Sequence, residues 1–179
     1  MEVMTLRSGP PAIYSWRDWH SVVEPLCETV ETIPADAYVI ACASDPGIDA
    51  VRTVTQRPVF GVFRSAVGAA VARAERFGVI AIADASKARH LAALRTMGLE
   101  SRLTAEVALN VEMPVLLDPD AARVPLARAA EELVAQGAGL IILGCTGMAH
   151  HRRALEERCG IPVIDPCQAA IAQALLAVI

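Results

Sequence analysis

The chain has 179 residues, of which 54% are hydrophobic and 4% aromatic, and its formal net charge is −4 at pH 7. This size suits one compact unit or two small lobes packed together. The negative charge and the lack of a basic stripe with interleaved aromatics exclude nucleic-acid binding by charge. No apolar run reaches the roughly 20 residues of a membrane helix, and no signal-like start is present. We therefore expect a cytoplasmic protein with no nucleic-acid or membrane partner.

The first predicted helix begins after Ser15, a suitable N-cap, and continues to about Val30. Trp16 and Trp19 share one face of this helix. Core packing is one interpretation of that face, and a hydrophobic partner surface is the other. The second interpretation predicts a homo-oligomer.

From residue 38 onward, short apolar runs alternate with helical segments. This alternation predicts an α/β protein with parallel strands and right-handed crossovers. Asp45 is predicted to cap a helix near Ile48, and Pro125 to lie in the first turn of a helix that ends near residue 136. Between residues 99 and 120 the periodicity is poor, which predicts loops with a short helix around 105–110.

Five cysteines without a Cys-x-x-Cys pair fit neither a disulfide framework nor a structural zinc site. Reduced thiols are the default in the cytoplasm. The chain contains no Gly-x-Gly-x-x-Gly motif and no Walker loop, so a nucleotide cofactor is not expected. We predict neither a cofactor nor a metal site, and a small molecule as the substrate.

Two cysteine segments look like copies of one unit. LIILGCTGM at 140–148 brings Cys145 to the end of an apolar strand, and VIACASDPG at 39–47 does the same for Cys42. Each cysteine is followed by a helical stretch, a Pro-Val pair, a short strand and an alanine-rich helix. Such a repeat suggests two lobes related by an approximate twofold, with two thiols facing one another across a cleft.

The position of the two thiols suggests acid/base chemistry. Ligands of α/β folds bind at the carboxyl ends of parallel strands. A thiolate on one side of a carbon acid can remove its proton while a thiol on the other side returns one. The helix start after each cysteine favours the thiolate and can hold a substrate oxygen. The alternative is that each cysteine is a small buried hydrophobe.

VIACASDPGIDA around Cys42, and LIILGCTGMAHH around Cys145 with GIPVIDP after it, resemble the aspartate/glutamate/hydantoin racemase superfamily, most of all its hydantoin and allantoin racemase branch. The resemblance implies two pseudo-symmetric flavodoxin-like lobes with parallel sheets, formed by residues 1–68 plus 163–179 and by residues 69–162. It implies cofactor-independent racemisation with Cys42 and Cys145 as the acid/base pair. The substrate-binding residues that it implies are Ala43, Ser44, Ile82, Thr146 and Gly147.

The chain departs from the family pattern in two places. Family members usually begin with an additional strand and an Asn-Pro-Asn type loop, so the first lobe is expected to lack its usual N-terminal strand. After FGVIA the family commonly places threonine or serine, where this chain has Ile82 and Ala83. The substrate class therefore stays open between hydantoin-like and amino-acid-like compounds.

Other functions remain open. In a maleate-type isomerase of the same superfamily, one cysteine would attack the substrate covalently. A non-catalytic small-molecule binding relative would show no proton exchange. A redox switch would require the Cα atoms of the two cysteines within about 7 Å. His150 and His151 follow Cys145, and because adjacent helical residues point about 100° apart, at most one of them faces the cleft.

Overall fold

The strands form two separate parallel sheets in the computed structural model, which describes residues 1–179. The strands are β1 (Tyr38–Ile40), β2 (Val59–Gly61), β3 (Phe77–Ala81), β4 (Leu103–Ala108), β5 (Ile141–Leu143) and β6 (Val163–Ile164). β1 and β2 pair in the smaller sheet, and the larger has the order β4-β3-β5-β6. The predicted α/β class with parallel strands is confirmed.

Helices cover the faces of these sheets. They are α1 (Trp16–Ser21), α2 (Val23–Thr32), α3 (Ile48–Val51), α4 (Val62–Val71), α5 (Asp84–Thr96), α6 (Met113–Leu117), α7 (Pro119–Ala135), α8 (Arg152–Cys159) and α9 (Pro166–Val178), with 3-10 turns at Glu100–Arg102 and Thr146–His151. None of these helices has the length and apolar character that spanning a bilayer demands.

The four-stranded sheet carries most of the core because its central strands are buried on both faces. Every residue of β3 is buried, as expected for an unbroken apolar run in a parallel sheet. Ile80 and Leu143 pack on the side of α7. Val79 and Ile142 pack on the opposite side, with Phe63 of α4. The strands are therefore held rigidly enough to fix the loops at their carboxyl ends.

Helix α9 connects the two sheets. It packs along α4, against both strands of the smaller sheet and against the Thr146–His151 turn. The predicted division grouped residues 163–164 with the first lobe, but β6 pairs with β5, with Ile141 opposite Val163. Only the helix that follows β6 packs on the smaller sheet. The division into lobes stays a prediction.

Three local predictions have different outcomes. Ser15 is the N-cap of α1 and forms a capping box, although the predicted helix is divided into α1 and α2. The helix expected at 105–110 is wrong, because β4 occupies this stretch at the edge of the sheet with half-buried residues and no strong apolar pattern. Pro125 lies inside α7, which already begins at Pro119.

Asp45 caps a helix, but not the helix that was predicted. Its carboxylate accepts hydrogen bonds from the backbone N–H groups of Phe63 and Arg64, both at 2.8 Å, and so caps α4 rather than α3. α3 begins instead after Gly47, which has a φ of +65°. The carboxylate of Asp45, in the turn after Cys42, thus points to the end of the neighbouring strand β2.

Replacing Gly61 tests this close approach, because a Cβ at residue 61 would overlap the carboxyl group of Asp45. Gly61→Ala must displace the cap of α4, and we expect a loss of about 2 kcal/mol in the free energy of unfolding, measured by urea denaturation. The control is Gly68→Ala within α4, where the nearest atom lies 3.6 Å from the new Cβ. We expect it to be neutral or stabilising by up to about 1 kcal/mol. Equal unfolding midpoints for the two variants would contradict the close approach of the Asp45 carboxyl group to Gly61.

Candidate active site

Cys42 and Cys145 each follow the carboxyl end of a parallel strand, Cys42 two residues after β1 and Cys145 two residues after β5. Both side chains are half-buried. Gly144 sets the position of Cys145, because its N–H donates to the carbonyl of Ile80 at 2.8 Å. A Cβ there would come within 2.7 Å of that same oxygen. Only glycine lets the loop pass this close to β3 before presenting the thiol.

The surroundings of Cys145 favour its protonated form. Burial raises the pKa of this thiol, the N–H of Gly147 that donates to the sulfur lowers the pKa, and negative charge on Cys42 raises it further. The net effect is a raised pKa for Cys145.

The loop of Cys42 is anchored from outside the smaller sheet. The sulfur of Cys42 lies 3.4 Å from the hydroxyl oxygen of Ser44. The indole N–H of Trp19 in α1 donates to the carbonyl of Ser44 at 3.0 Å. The side chain of Ala43, in the same loop, is buried. The N–H groups of Ala43 and Ser44 donate to no acceptor within the protein.

Thr146 and Gly147 are half-buried at the start of the 3-10 turn after Cys145. Gly147 lies under α6, where an added Cβ would come 3.0 Å from the terminal methyl carbon of Met113. Ile82 differs from these residues, because its side chain is 6% exposed and packs in the core on the α7 side of the sheet. The side chain of Ile82 is therefore part of the core.

A third thiol, which the sequence analysis did not single out, shares this region. Cys167 lies in the first turn of α9 and packs with the hydrophobic cluster that contains Ala43. Burial raises the pKa of Cys167 to about 11, and negative charges on Asp165, Cys145 and Cys42 raise it as well. The sequence contains one signal for this residue, its spacing: Cys167 follows β6 much as Cys145 follows the neighbouring β5.

The two histidines after Cys145 have different surroundings. His150 is exposed, whereas His151 is buried with its Nε2 3.1 Å from the carbonyl oxygen of Leu116. Burial lowers the pKa of His151, which keeps the ring neutral. His151 therefore holds α6 against the turn that carries Thr146. Neither ring forms a hydrogen bond with Cys145.

Behind both loops lies a buried polar pair. His90 of α5 pairs through Nδ1 with Glu106 of β4 and stacks on Phe63 with the ring centroids 4.4 Å apart. The Cε1 atom of His90 faces Gly144, where an added Cβ would come within 3.1 Å. This pair supports the Cys145 loop from below. No group of three or more His, Cys, Asp or Glu side chains is arranged to hold a metal ion.

The buried Asp45 predicts a pH dependence of stability. Burial raises the pKa of this carboxyl group from 3.8 to about 6, against the lowering by the N–H groups of Arg64 and Phe63. A folded-state pKa above the unfolded value contributes stability that is present below about pH 4 and is lost as the pH rises through 6. This shift corresponds to about 3 kcal/mol.

We therefore expect the parent to lose about 3 kcal/mol of unfolding free energy relative to Asp45→Asn between pH 4 and pH 7. Urea denaturation of both proteins across this range measures the difference. Asp49→Asn is the control, because it removes an exposed carboxylate next to the same turn. Parallel stability curves for the parent and Asp45→Asn would disprove the raised pKa.

Comparison with known proteins adds independent information. The sequence profile of the Asp/Glu/hydantoin racemase family matches residues 1–174. A hydantoin racemase of Paenarthrobacter aurescens is 39% identical over 178 residues, covering 94% of this chain and 75% of the relative. A hydantoin racemase of Pseudomonas sp. (strain NS671) is 34% identical over 175 residues, covering 92% and 68%. The solved allantoin racemase from Klebsiella pneumoniae matches with a TM-score of 0.86 at 29% identity, covering 96% of this chain and 72% of that one.

Proposed function

The chain belongs to the Asp/Glu/hydantoin racemase family of isomerases, and from this membership we propose that it racemises a hydantoin-like substrate without a cofactor, using Cys42 and Cys145 as the acid/base pair. One observation carries the proposal. Both repeat cysteines stand two residues after the carboxyl ends of parallel strands, and negative charge on Cys42 contributes to the raised pKa of Cys145. Ligands of α/β folds bind at this end of the strands.

The proposed reaction moves one proton in and one proton out. The thiolate of Cys42 removes the proton from the stereocentre on one face, and the C–H electron pair enters the adjacent carbonyl as an enolate. Cys145, kept protonated by its burial, then donates its proton to the opposite face. For the other enantiomer the roles are exchanged. After each turnover the pair still holds one proton and one negative charge.

Backbone N–H groups are suited to the charge that develops on the enolate oxygen. Those of Ala43 and Ser44 have no acceptor in the protein, and they lie directly after Cys42. Donors that are already oriented stabilise a developing anion without reorganisation. Thr146 and Gly147 would contact the substrate from the other loop. The hydroxyl of Ser44, 3.4 Å from the sulfur of Cys42, orients that group.

Hydantoins suit this site on chemical grounds. The ring carbonyl and imide acidify the proton at the stereocentre, and no carboxylate anion opposes its removal, as it would in a free amino acid. The ring also offers neutral polar groups, which match backbone donors. Two relatives that cover over nine-tenths of this chain are named hydantoin racemases.

Single cysteine variants test the two-base mechanism. Cys42→Ser and Cys145→Ser should each lose racemisation by about 10²- to 10⁴-fold, because a serine hydroxyl cannot replace a thiol acid/base group at neutral pH. Each variant should still exchange the stereocentre proton of one enantiomer for solvent deuterium with retention, since one thiol remains on one face. NMR and polarimetry on both enantiomers of 5-substituted hydantoins, allantoin, aspartate and glutamate measure exchange and inversion.

Cys159→Ser is the matched control, because this thiol lies at the end of α8 and contacts the carbonyl of Ile161 rather than the other two sulfurs. It should keep parental activity. Detection of a covalent adduct on one thiol by mass spectrometry would contradict this mechanism and favour that of a maleate-type isomerase. Exchange on none of the compounds would favour a binding protein without catalysis.

A further inference from the structure

His90 and Glu106 form a polar pair inside the core that the proposed reaction does not use. The side chain of His90 is 1% exposed and that of Glu106 is 6% exposed. Nδ1 of His90 and Oε1 of Glu106 share a hydrogen bond, and neither side chain has another hydrogen-bond partner in the protein. A buried pair of this kind adds little stability over apolar side chains of the same shape. What it does provide is a fixed orientation of the imidazole ring.

The ring of His90 lies between helix α4 and the loop that carries Cys145. It stacks on the ring of Phe63, with the centroids 4.4 Å apart and the planes inclined by 16°. Its Cε1 atom faces Gly144, where an added Cβ would come within 3.1 Å. Gly144 is held from the other side as well, because its N–H donates to the carbonyl of Ile80 at 2.8 Å. The imidazole therefore fixes how far Gly144 stands from Phe63.

These two neighbours of His90 lead to the two proposed acid/base residues. The N–H of Phe63 donates to the carboxylate of Asp45 at 2.8 Å, and Asp45 lies in the loop that follows Cys42. Gly144 directly precedes Cys145. The ring of His90 thus completes a path of direct contacts between the two cysteine loops, which belong to different sheets.

Glu106 holds the ring from the edge of the larger sheet. It lies in β4, opposite Val79 of β3, and its side chain reaches His90 of α5. Helix α5 packs on both of these strands. The position of the imidazole is therefore tied to the sheet from which the Cys145 loop emerges.

We propose that His90 is a positioning residue of the racemase, whose ring, oriented by Glu106, is the spacer that sets the distance between the Cys42 loop and Cys145. For its catalytic consequence this inference rests on the proposed function. Two-base racemisation needs one sulfur atom on each face of the stereocentre. Displacing a reacting group by about 1 Å costs up to about 10²-fold in rate. His90 acts through the two loops and not on the substrate.

His90→Asn removes the spacer and keeps the polar pair. The asparagine amide takes the place of Nδ1 and can still hydrogen-bond to Glu106, whereas the ring atoms next to Gly144 are lost. We expect kcat for racemisation to fall about 10- to 100-fold and KM to change by less than about threefold. Steady-state kinetics on both enantiomers of a hydantoin substrate measure the two constants.

Two control variants separate spacing from charge and from stability. Glu106→Gln keeps the shape of the side chain and an acceptor for His90 but removes the charge, so kcat should stay within about threefold of the parent. Leu94→Ala removes at least as much buried volume one turn further along α5. It should keep the parental kcat at temperatures where circular dichroism shows it folded. An equal loss of kcat in Leu94→Ala would attribute the effect to packing in general and overturn the proposal.

Phe63→Leu breaks the same path at its other end. It should lower kcat as His90→Asn does, and the double variant should lose no more than about threefold beyond the worse single variant, because both changes interrupt one path. Losses that multiply would contradict a shared spacer. If His90→Asn does not fold, His90→Leu combined with Glu106→Leu takes its place, since it leaves no buried polar partner unpaired. It should show the same fall in kcat.

Cross-linking measures the spacing of the two thiols without a substrate. Bifunctional methanethiosulfonates with graded spacers join two thiols, and mass spectrometry of the linked peptides identifies the product between Cys42 and Cys145. One spacer length should be preferred in the parent, in Glu106→Gln and in Leu94→Ala. In His90→Asn this preference should weaken by about threefold or move to another length. An unchanged preference would overturn the proposal.

The two readouts separate this proposal from the proposed function. A parent that shows the length preference, loses it in His90→Asn and racemises no compound would refute the proposed function and leave the spacing role of His90 standing. An active parent whose His90→Asn variant keeps both kcat and the length preference would do the reverse.

Discussion

The carboxylate of Asp45 is the contact on which the site depends. It reaches from the Cys42 loop to the first turn of α4, where two backbone N–H groups point at it. α4 packs in turn on α9 and on the four-stranded sheet. One buried side chain thus fixes the Cys42 loop to the helix that both sheets share. The absence of a side chain at Gly61 is a requirement of this contact, since any Cβ would occupy the carboxylate's place.

The internal repeat suggests two equivalent thiols, yet their surroundings make them different. Cys145 stands in a tighter loop, between Gly144, which presses on β3, and Gly147, which donates to its sulfur. Cys42 stands beside the hydroxyl of Ser44. The proposed two-base reaction requires such a difference, because one group must hold a proton while the other does not. Local burial of Cys145 distinguishes it without altering the repeated backbone.

Features encoded by neighbouring residues were predictable from the sequence. Apolar runs that end in small residues placed both cysteines at strand ends, and Ser15 marked a helix start. Features that depend on distant residues were not. Asp45 caps a helix whose first N–H donor lies 18 residues away, and β4 is an edge strand without a clear apolar pattern. The spacing of Cys167 after β6 is visible in the sequence, but its closeness to the site depends on β5 and β6 lying side by side, which no short window of sequence contains.

The two sheets share no ladder of hydrogen bonds. They are joined by packed helices, chiefly α4 and α9. Their separation is therefore set by side-chain contacts, and shifting such contacts costs far less than breaking the hydrogen bonds between paired strands. Cys42 follows a strand of the smaller sheet, and Cys145 follows a strand of the larger sheet. The gap between the two sulfur atoms is therefore set by how these helices pack and not by strand pairing, so small sliding of one helix past the other changes it.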